Sequence, residues 1–386
     1  MEQNLLLIHG GGPTAVINAS LYGVLAEAQM HREITHVYAA RNGTGGLLAG
    51  DLLDLTGVPE AVREKLLHTP GSAIGTSRDQ LEEADYRTMA GILRDRHIRW
   101  VLMNGGNGTM DTCGRLCRAC AAEDAGISVM GIPKTMDNDI AVTDHSPGFP
   151  SAARYLAESI REVSADVRSL PIHVVVVEAL GRNAGWVTAA ASLAGEQGNP
   201  GADLIYLPEK PFCEEKFLAQ ISDLLEIKKG IVVVASEGLK KEDGSPLVAP
   251  IFQTGRATYF GDVSAHLAHL VVQKLGCKAR SEKPGLLGRA SIRYASSVDR
   301  AEAVLAGREA LKAALNGESG RMVAFRRLSG TPYRMEPFLT DIREVMLHEK
   351  TLPAEFINTD GSVAEAYREW LRPLLGEPLP DMAAFN

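Results

Sequence analysis

Short apolar runs alternate along this chain with longer segments of helical periodicity. The apolar runs are Leu5–Ile8, Trp100–Met103, Val129–Ile132, His173–Val177, Leu204–Leu207 and Ile231–Ala235. The helical segments are Asn18–Met30, Met110–Ala122, Ser151–Ser164, Glu214–Ile227 and Thr258–Lys274. Continuous runs of Val, Ile and Leu of this length are typical of strands covered on both faces. The alternation therefore predicts an α/β protein with doubly wound parallel sheets and with ligands at the carboxyl ends of the strands.

The length of the chain, 386 residues, suits two domains. We predict two α/β lobes and a C-terminal helical extension. Their ranges are 1–140 (completed by part of 285–330), 141–284 and 331–386. Near the last boundary, Met322–Arg326 is predicted to be one more strand. Phe338–His348 and Val363–Leu371 are predicted to be the helices of the extension.

Composition and charge narrow the class of function. Hydrophobic residues make up 45 % and charged residues 23 %, the balance of a globular protein. The net charge of −8 argues against binding to nucleic acid or to an anionic membrane surface. No apolar run approaches the ~20 residues that span a bilayer, and no secretory signal begins the chain. We therefore expect a cytoplasmic protein with neither a nucleic-acid nor a membrane partner.

Glycine-rich loops follow two of the predicted strands. Gly10-Gly11-Gly12 and Gly105–Thr109 each lie between a strand and a helix, where bare backbone amides near a helix N-terminus favour an anion. The segment Gly71–Arg78 is a third candidate, because its guanidinium could bind a phosphoryl group. An ordinary βα turn explains the first loop equally well, and Arg78 alone could be a solvated charge.

An acidic turn follows the third strand, in the sequence Pro133-Lys134-Thr135-Met136-Asp137-Asn138-Asp139. One of its two carboxylates could accept a proton from an attacking hydroxyl while the other orients a cation or a metal-bound water. A turn shaped by Asp and Asn side chains is the alternative interpretation.

This acidic turn resembles the P-[GK]-T-[IM]-D-N-D segment of the phosphofructokinase family. Other segments resemble family motifs in family order: Gly11–Asn18, Gly75–Arg78, Gly105–Thr109, Glu178–Arg182 with Gly185-Trp186, and Glu237. The tail Tyr333–Pro380 is similar to that of the longer, pyrophosphate-using branch. The resemblance implies a 6-phosphofructokinase of glycolysis, which transfers a phosphoryl group to the 1-hydroxyl of fructose 6-phosphate.

The resemblance also implies roles for individual residues. Asp137 would be the general base. The residues that would act on the transferred group with it are Arg78, Lys134, Thr135 and Asp139. Those that would hold the donor phosphates are Gly11, Gly12, Gly106, Asn107, Gly108 and Thr109. Those that would bind the sugar phosphate are Leu180, Gly181, Arg182, Glu237, Arg280 and Arg289. Some family members take cations from a neighbouring subunit, so a homodimer or homotetramer is expected.

The donor and the metal site stay open at this point. The resemblance implies Mg²⁺, but Asn107 replaces the usual Asp, so Asn107 and Asp137 are the candidate ligands and Asp111 could compensate. Gly108 leaves open the space that a second Asp fills in many pyrophosphate users, which suits ATP. Lys134, in contrast, is commoner among pyrophosphate users. The expected donor is therefore ATP or pyrophosphate.

Three alternatives differ in function class. The same chemistry could act on another sugar phosphate or a polyol, since the usual H-x-Q-R pattern before Arg289 is absent. Asn107 could mark a non-catalytic, nucleotide-binding member. Cys113, Cys117 and Cys120 have the spacing of a radical-type iron–sulfur motif, but they also share one helix face, where buried cysteines behave as small hydrophobic residues.

Overall fold

The computed structural model describes residues 2–123, 126–170, 173–254, 257–259 and 261–383. The chain divides into two compact units. Unit 1 comprises Met1–Phe149 and Arg289–Lys350, and unit 2 comprises Pro150–Gly288 and Thr351–Asn386. The segment predicted as a separate extension, 331–386, is therefore shared between the two units.

Strands and helices alternate along most of the chain, so the predicted α/β class is confirmed. The strands are β1 (Asn4–His9), β2 (Val37–Ala40), β3 (Leu52–Asp54), β4 (Ile98–Gly105), β5 (Ser128–Pro133), β6 (His173–Ala179), β7 (Leu204–Tyr206), β8 (Gly230–Ser236), β9 (Phe252–Thr254), β10 (Ala257–Tyr259), β11 (Ala279–Glu282), β12 (Arg321–Leu328) and β13 (Arg334–Asp341). The α-helices are α1 (Ile17–Ala28), α2 (Thr44–Leu48), α3 (Glu60–Leu66), α4 (Glu83–Asp95), α5 (Asn107–Ala122), α6 (Phe149–Ser169), α7 (Trp186–Ala189), α8 (Glu214–Ile227), α9 (Val263–Leu275), α10 (Leu287–Ala290), α11 (Ser297–Leu315) and α12 (Glu365–Leu371). Short 3₁₀ helices span Ala190–Leu193, Glu196–Gly198, Ile342–Glu344, Ala354–Phe356 and Arg372–Leu375.

Unit 1 is built on a sheet whose described strands run in the order β13-β12-β5-β4-β1-β2-β3. The five inner strands pair in parallel, and the two edge strands, β3 and β13, are antiparallel. Successive residues of β1 point to opposite faces of this sheet. Leu5 and Leu7 pack with α1 and α11, whereas Leu6 and Ile8 pack with α4 and α5. Burial on both faces explains the continuous apolar runs.

The predicted helix at Phe338–His348 is wrong. Its first four residues belong to β13, which pairs with β12 from Arg321–Asp341 to Leu328–Arg334, and the chain then enters a 3₁₀ turn. The physical reason is the exposed edge of β12, whose backbone groups need partners. Pro337 is tolerated because β13 is itself an edge strand. The other predicted tail helix is confirmed as α12.

Unit 2 contains a parallel sheet with the strand order β11-β6-β8-β7. Helices α8 and α9 bury apolar side chains against it, among them Phe217 and Leu267. Strands β9 and β10 form a separate antiparallel pair. Within the described ranges, no helix of either unit has the length and apolar character that a membrane crossing requires.

Candidate active site

The predicted donor residues of unit 1 meet at one edge of its sheet. Strands β1, β4 and β5 are parallel neighbours, so their carboxyl ends lie side by side. The Gly10–Gly12 loop follows β1, the Gly105–Thr109 loop follows β4, and Lys134 follows β5. Neighbouring strands thus bring the three motifs together, as expected for a doubly wound sheet.

The turn that carries Arg78 lies against the first glycine loop. The N–H of Gly11 donates to the carbonyl oxygen of Ser77 at 2.8 Å, and the hydroxyl of Thr76 donates to the carbonyl oxygen of Gly11 at 2.8 Å. Gly11 has φ +77°, which glycine adopts without strain. These bonds bring the guanidinium of Arg78 to the loop.

Three cationic side chains surround Gly12. A Cβ added to Gly12 would lie 2.8 Å from Nη1 of Arg289 and 3.3 Å from Nη2 of Arg78. Lys134 Nζ donates to the carbonyl oxygens of Gly12 at 2.7 Å and Gly10 at 3.1 Å. A side chain at this position would displace the guanidinium groups, whereas glycine leaves them next to the loop. This concentration of positive charge, next to backbone amides, suits a polyphosphate.

Burial lowers the pKa of Lys134 to about 8, and repulsion by Arg78 and Arg289 adds to this effect, whereas Asp137 opposes it. Lys134 is 2 % exposed. Its ammonium group is therefore held in a site where an incoming anion would favour the charged form. Arg289, which the resemblance assigns to the sugar phosphate, lies in unit 1 beside these donor residues.

The acidic turn is shaped by Asn138, so part of the alternative interpretation holds as well. Asn138 is fully buried with φ +53°, and its Oδ1 accepts from the N–H of Ser146 at 2.9 Å. Thr135 Oγ1 accepts from the N–H of Asp137 at 3.1 Å. Asp137 itself is half-buried and interacts electrostatically with Lys134. The turn thus presents one carboxylate beside the cationic loop.

The predicted metal ligand Asn107 is joined to Asp139. Its Nδ2 donates to the backbone oxygen of Asp139 at 3.0 Å and to Oδ2 at 2.9 Å. The Oδ1 atoms of both residues are buried and have no hydrogen-bond partner among the described residues. Two such oxygens fit a hard cation, and Mg²⁺ needs only one or two protein ligands besides phosphate and water. Asp111, the other candidate, is ion-paired with Arg115 at 3.3 Å.

No group of three or more His, Cys, Asp or Glu side chains suited to a metal is found in the described part of the chain. The cysteine face of α5 belongs to the hydrophobic core: Cys113 and Cys120 are buried, and burial raises the pKa of Cys120 to about 12. This packing agrees with the core-face interpretation, in which the cysteines behave as small hydrophobic residues.

In unit 2, the predicted sugar-phosphate residues form a tight turn after β6. Glu237 Oε1 accepts from the N–H groups of Gly181 and Arg182, each at 3.2 Å. A Cβ added to Gly238 would lie 1.6 Å from the carbonyl oxygen of Arg182, so this position requires glycine. Glu237 was predicted to contact sugar hydroxyls; in the structure it shapes the turn through these two bonds. Leu180 is half-buried in the same turn.

Arg280 is exposed on the edge strand β11, opposite Val175 of β6. Sequence reasoning missed a second cation beyond the same strand, Lys283, whose Nζ lies 2.7 Å from the carboxylate of Glu178. Glu178 is buried, and burial raises its pKa while Lys283 opposes the shift. The one local feature that marks Lys283 in the sequence is its place directly before Pro284-Gly285.

Sequence reasoning also missed His9, the last residue of β1. Its Nδ1 is 2.8 Å from the hydroxyl of Ser72, which itself donates to the carbonyl oxygen of Gly75. Burial, together with the charge of Lys134, lowers the pKa of His9 to about 3, so the ring is neutral. The sequence feature that could have identified His9 is its place directly before the first glycine loop.

Comparison with known proteins gives a consistent result. Residues 4–314 match the family model described as Phosphofructokinase. Pyrophosphate–fructose 6-phosphate 1-phosphotransferases from Xanthomonas campestris and Methylococcus capsulatus are 38 % and 37 % identical to this chain, over 98 % and 99 % of its length and 92 % and 94 % of theirs. The crystal structure of a pyrophosphate-dependent phosphofructokinase from Nitrosospira multiformis matches with a TM-score of 0.89 and 32 % identity, covering 100 % of this chain and 95 % of that one.

Proposed function

The chain belongs to the phosphofructokinase family, and we propose that it transfers a phosphoryl group from pyrophosphate to the 1-hydroxyl of fructose 6-phosphate. The predicted family and enzyme class are confirmed by the family match and the nearly full-length relatives. The observation that carries the proposal is the meeting of Arg78, Lys134 and Arg289 around Gly12, in the unit that also holds Asp137.

In the proposed reaction, unit 1 binds the donor. Asp137 accepts the proton of the sugar 1-hydroxyl, the hydroxyl oxygen forms a bond to phosphorus, and the bond to the bridging oxygen of pyrophosphate breaks. Orthophosphate leaves with the negative charge that Lys134 and Arg78 stabilise. Thr135 and Asp139 support this arrangement. The residues proposed to hold the phosphates of the donor are Gly11, Gly12, Gly106, Asn107, Gly108 and Thr109.

Asn107 and Asp139 would hold Mg²⁺ through their unpartnered Oδ1 atoms. When bound, the ion neutralises charge on the donor phosphates. Asp137, the ligand predicted beside Asn107, is proposed here as the base.

Unit 2 is proposed to bind the sugar phosphate. Gly181 and Arg182 present backbone and guanidinium groups, and the second oxygen of Glu237 is the proposed acceptor for sugar hydroxyls. Leu180 and Arg280 are the other residues of unit 2 that the resemblance assigns to this substrate; Arg289, which it also assigns, belongs to unit 1.

Pyrophosphate is proposed as the donor because the two relatives that align over nearly the whole chain are named pyrophosphate–fructose 6-phosphate 1-phosphotransferases. ATP is the second candidate, and one observation favours it. A Cβ added to Gly108 would meet nothing within 4 Å, so space is open beside the second glycine loop. Gly108→Asp should abolish any turnover with ATP and preserve turnover with pyrophosphate; retained ATP activity would reject this steric explanation.

The test compares both donors with fructose 6-phosphate and Mg²⁺, for wild type, Asp137→Asn and the exposed control Asp95→Asn. We expect turnover with pyrophosphate and a fall in kcat of about 10²–10⁴ for Asp137→Asn, the range for loss of a general base. Near-normal kcat in that variant would remove the base. Donor binding without turnover of any acceptor would favour the non-catalytic alternative. Turnover of other acceptors but not of fructose 6-phosphate would contradict the proposed substrate.

We also propose a homodimer or homotetramer, from the family resemblance. Light scattering of the purified full chain tests it, and a monomer at assay concentration would contradict it.

A further inference from the structure

The turn that carries Arg182 is held at both ends by carboxylates from unit 2. At its start, Glu237 Oε1 accepts from the N–H groups of Gly181 and Arg182. At its end, Glu209 Oε1 accepts from the N–H of Gly185 at 2.7 Å. Arg182 has φ +50°, which is unfavourable for a residue other than glycine and persists only where the surroundings enforce it. The two carboxylates supply this enforcement.

The same oxygen of Glu209 also binds the C-terminal segment of unit 2, defined here as residues 351–383. The N–H of Leu352 donates to Oε1 at 3.0 Å. Burial raises the pKa of Glu209, while the N–H groups of Gly185 and Leu352 oppose the shift. The other oxygen, Oε2, is buried without a hydrogen-bond partner in the described residues. One carboxylate oxygen of Glu209 therefore accepts from both the turn and the C-terminal segment.

Aromatic packing joins the same two parts of unit 2. The ring of Trp186, the residue after Gly185, lies 5.9 Å from Phe356, 6.4 Å from Tyr367 and 5.1 Å from Trp370, measured between ring centroids. The hydroxyl of Tyr367 donates to the carbonyl oxygen of Trp186. Trp186 and Tyr367 are buried. The C-terminal segment is thus packed directly on the end of the turn.

We propose that Glu209 is a positioning residue of the acceptor site, which ties the C-terminal segment to the turn that presents Arg182. Removing the shared acceptor leaves the N–H groups of Gly185 and Leu352 without their partner, and the turn relaxes. Binding of the sugar phosphate then weakens, whereas donor binding by unit 1 does not change. This inference rests on the proposed function, because it assumes that Arg182 binds the acceptor.

Four full-length variants test it. Glu209→Leu removes the acceptor. Glu209→Asp keeps the charge but shortens the side chain by one methylene, and serves if the Leu variant does not fold. Glu209→Gln keeps an oxygen that can accept both bonds, and Glu215→Leu is the matched control at an exposed glutamate of α8.

We expect Glu209→Leu and Glu209→Asp to raise KM for fructose 6-phosphate by about tenfold or more, with KM for pyrophosphate changed by less than about twofold. Glu209→Gln and Glu215→Leu should stay within about threefold of wild type for both substrates. An equal rise in both KM values would indicate general damage and would overturn the positioning role.

Hydrogen exchange at single amides gives a readout that does not need activity. The amides of Gly185 and Leu352 should exchange slowly in wild type and Glu209→Gln, and both should accelerate together in Glu209→Leu and Glu209→Asp. Slow exchange retained in the last two variants would overturn the shared bond, and faster exchange without a change in KM for fructose 6-phosphate would overturn its role. If wild type does not use this sugar, the proposed function fails, and exchange still decides whether Glu209 makes the tie.

Discussion

The lowered pKa of Lys134 should make donor binding depend on pH. With a pKa of about 8, roughly nine tenths of the Lys134 side chains carry a proton at pH 7 and roughly one tenth at pH 9. Only the protonated form offers a full charge to the donor beside Gly12. KM for pyrophosphate should therefore rise about tenfold between pH 7 and pH 9, and it should change little below pH 7.

The assay is steady-state kinetics at constant ionic strength and constant free Mg²⁺, for wild type, Lys134→Arg and Lys134→Met. The ionisation of pyrophosphate itself is common to all proteins, so the difference between wild type and Lys134→Arg isolates the lysine. Lys134→Met should have a raised KM already at pH 7. Lys350→Met is the matched control: burial also lowers the pKa of Lys350 to about 8, but its ammonium donates to the carbonyl oxygens of Thr143 and Asp144 instead.

Two results would refute this reasoning. If wild type and Lys134→Arg show the same dependence of KM on pH, then Lys134 does not titrate in this interval. If Lys350→Met loses the dependence, then the other buried lysine is responsible.

Two further predictions concern stability. Gly91 lies inside α4, where an added Cβ would meet only the end of the Arg94 side chain at 3.9 Å, so Gly91→Ala should raise the free energy of unfolding by ~0.5–1 kcal/mol; a lower urea midpoint would contradict this. Although burial alone would lower the pKa of His145, its contacts with Glu302 and Asp144 raise it to about 9. The pKa of His145 is higher in the folded state than in the unfolded state, so its contribution to the free energy of unfolding is complete below pH 6.5 and is lost as the pH rises to 9. At ~1.4 kcal/mol per pKa unit, the contribution that is lost amounts to about 3 kcal/mol. Urea unfolding at pH 6 and pH 9.5 should show this loss in wild type and not in His145→Gln; an equal loss in both proteins would sink the argument.

The alternation of strands and helices could be predicted because it depends on local pattern. The central part of a strand buried on both faces, such as Trp100–Met103 of β4 or Ile231–Ala235 of β8, is apolar at every position, and this pattern is visible in a short window of sequence. The tail at Phe338–His348 could not be predicted in this way. Its state depends on the open edge of β12, and hydrogen bonding to that edge outweighs the local preference.

In the candidate site, too, some features depend on local sequence and others on contacts between distant residues. The position of the glycine loops and the acidic turn after strand ends was predictable, since each motif is continuous in the chain. Three contacts became visible only in the folded chain: Arg289 beside Gly12, the hydrogen bond from Asn107 to Asp139, and the oxygen of Glu209 that accepts from Gly185 and from the C-terminal segment. These pairs are far apart in the chain, so their contacts arise from packing, which no short stretch of sequence records.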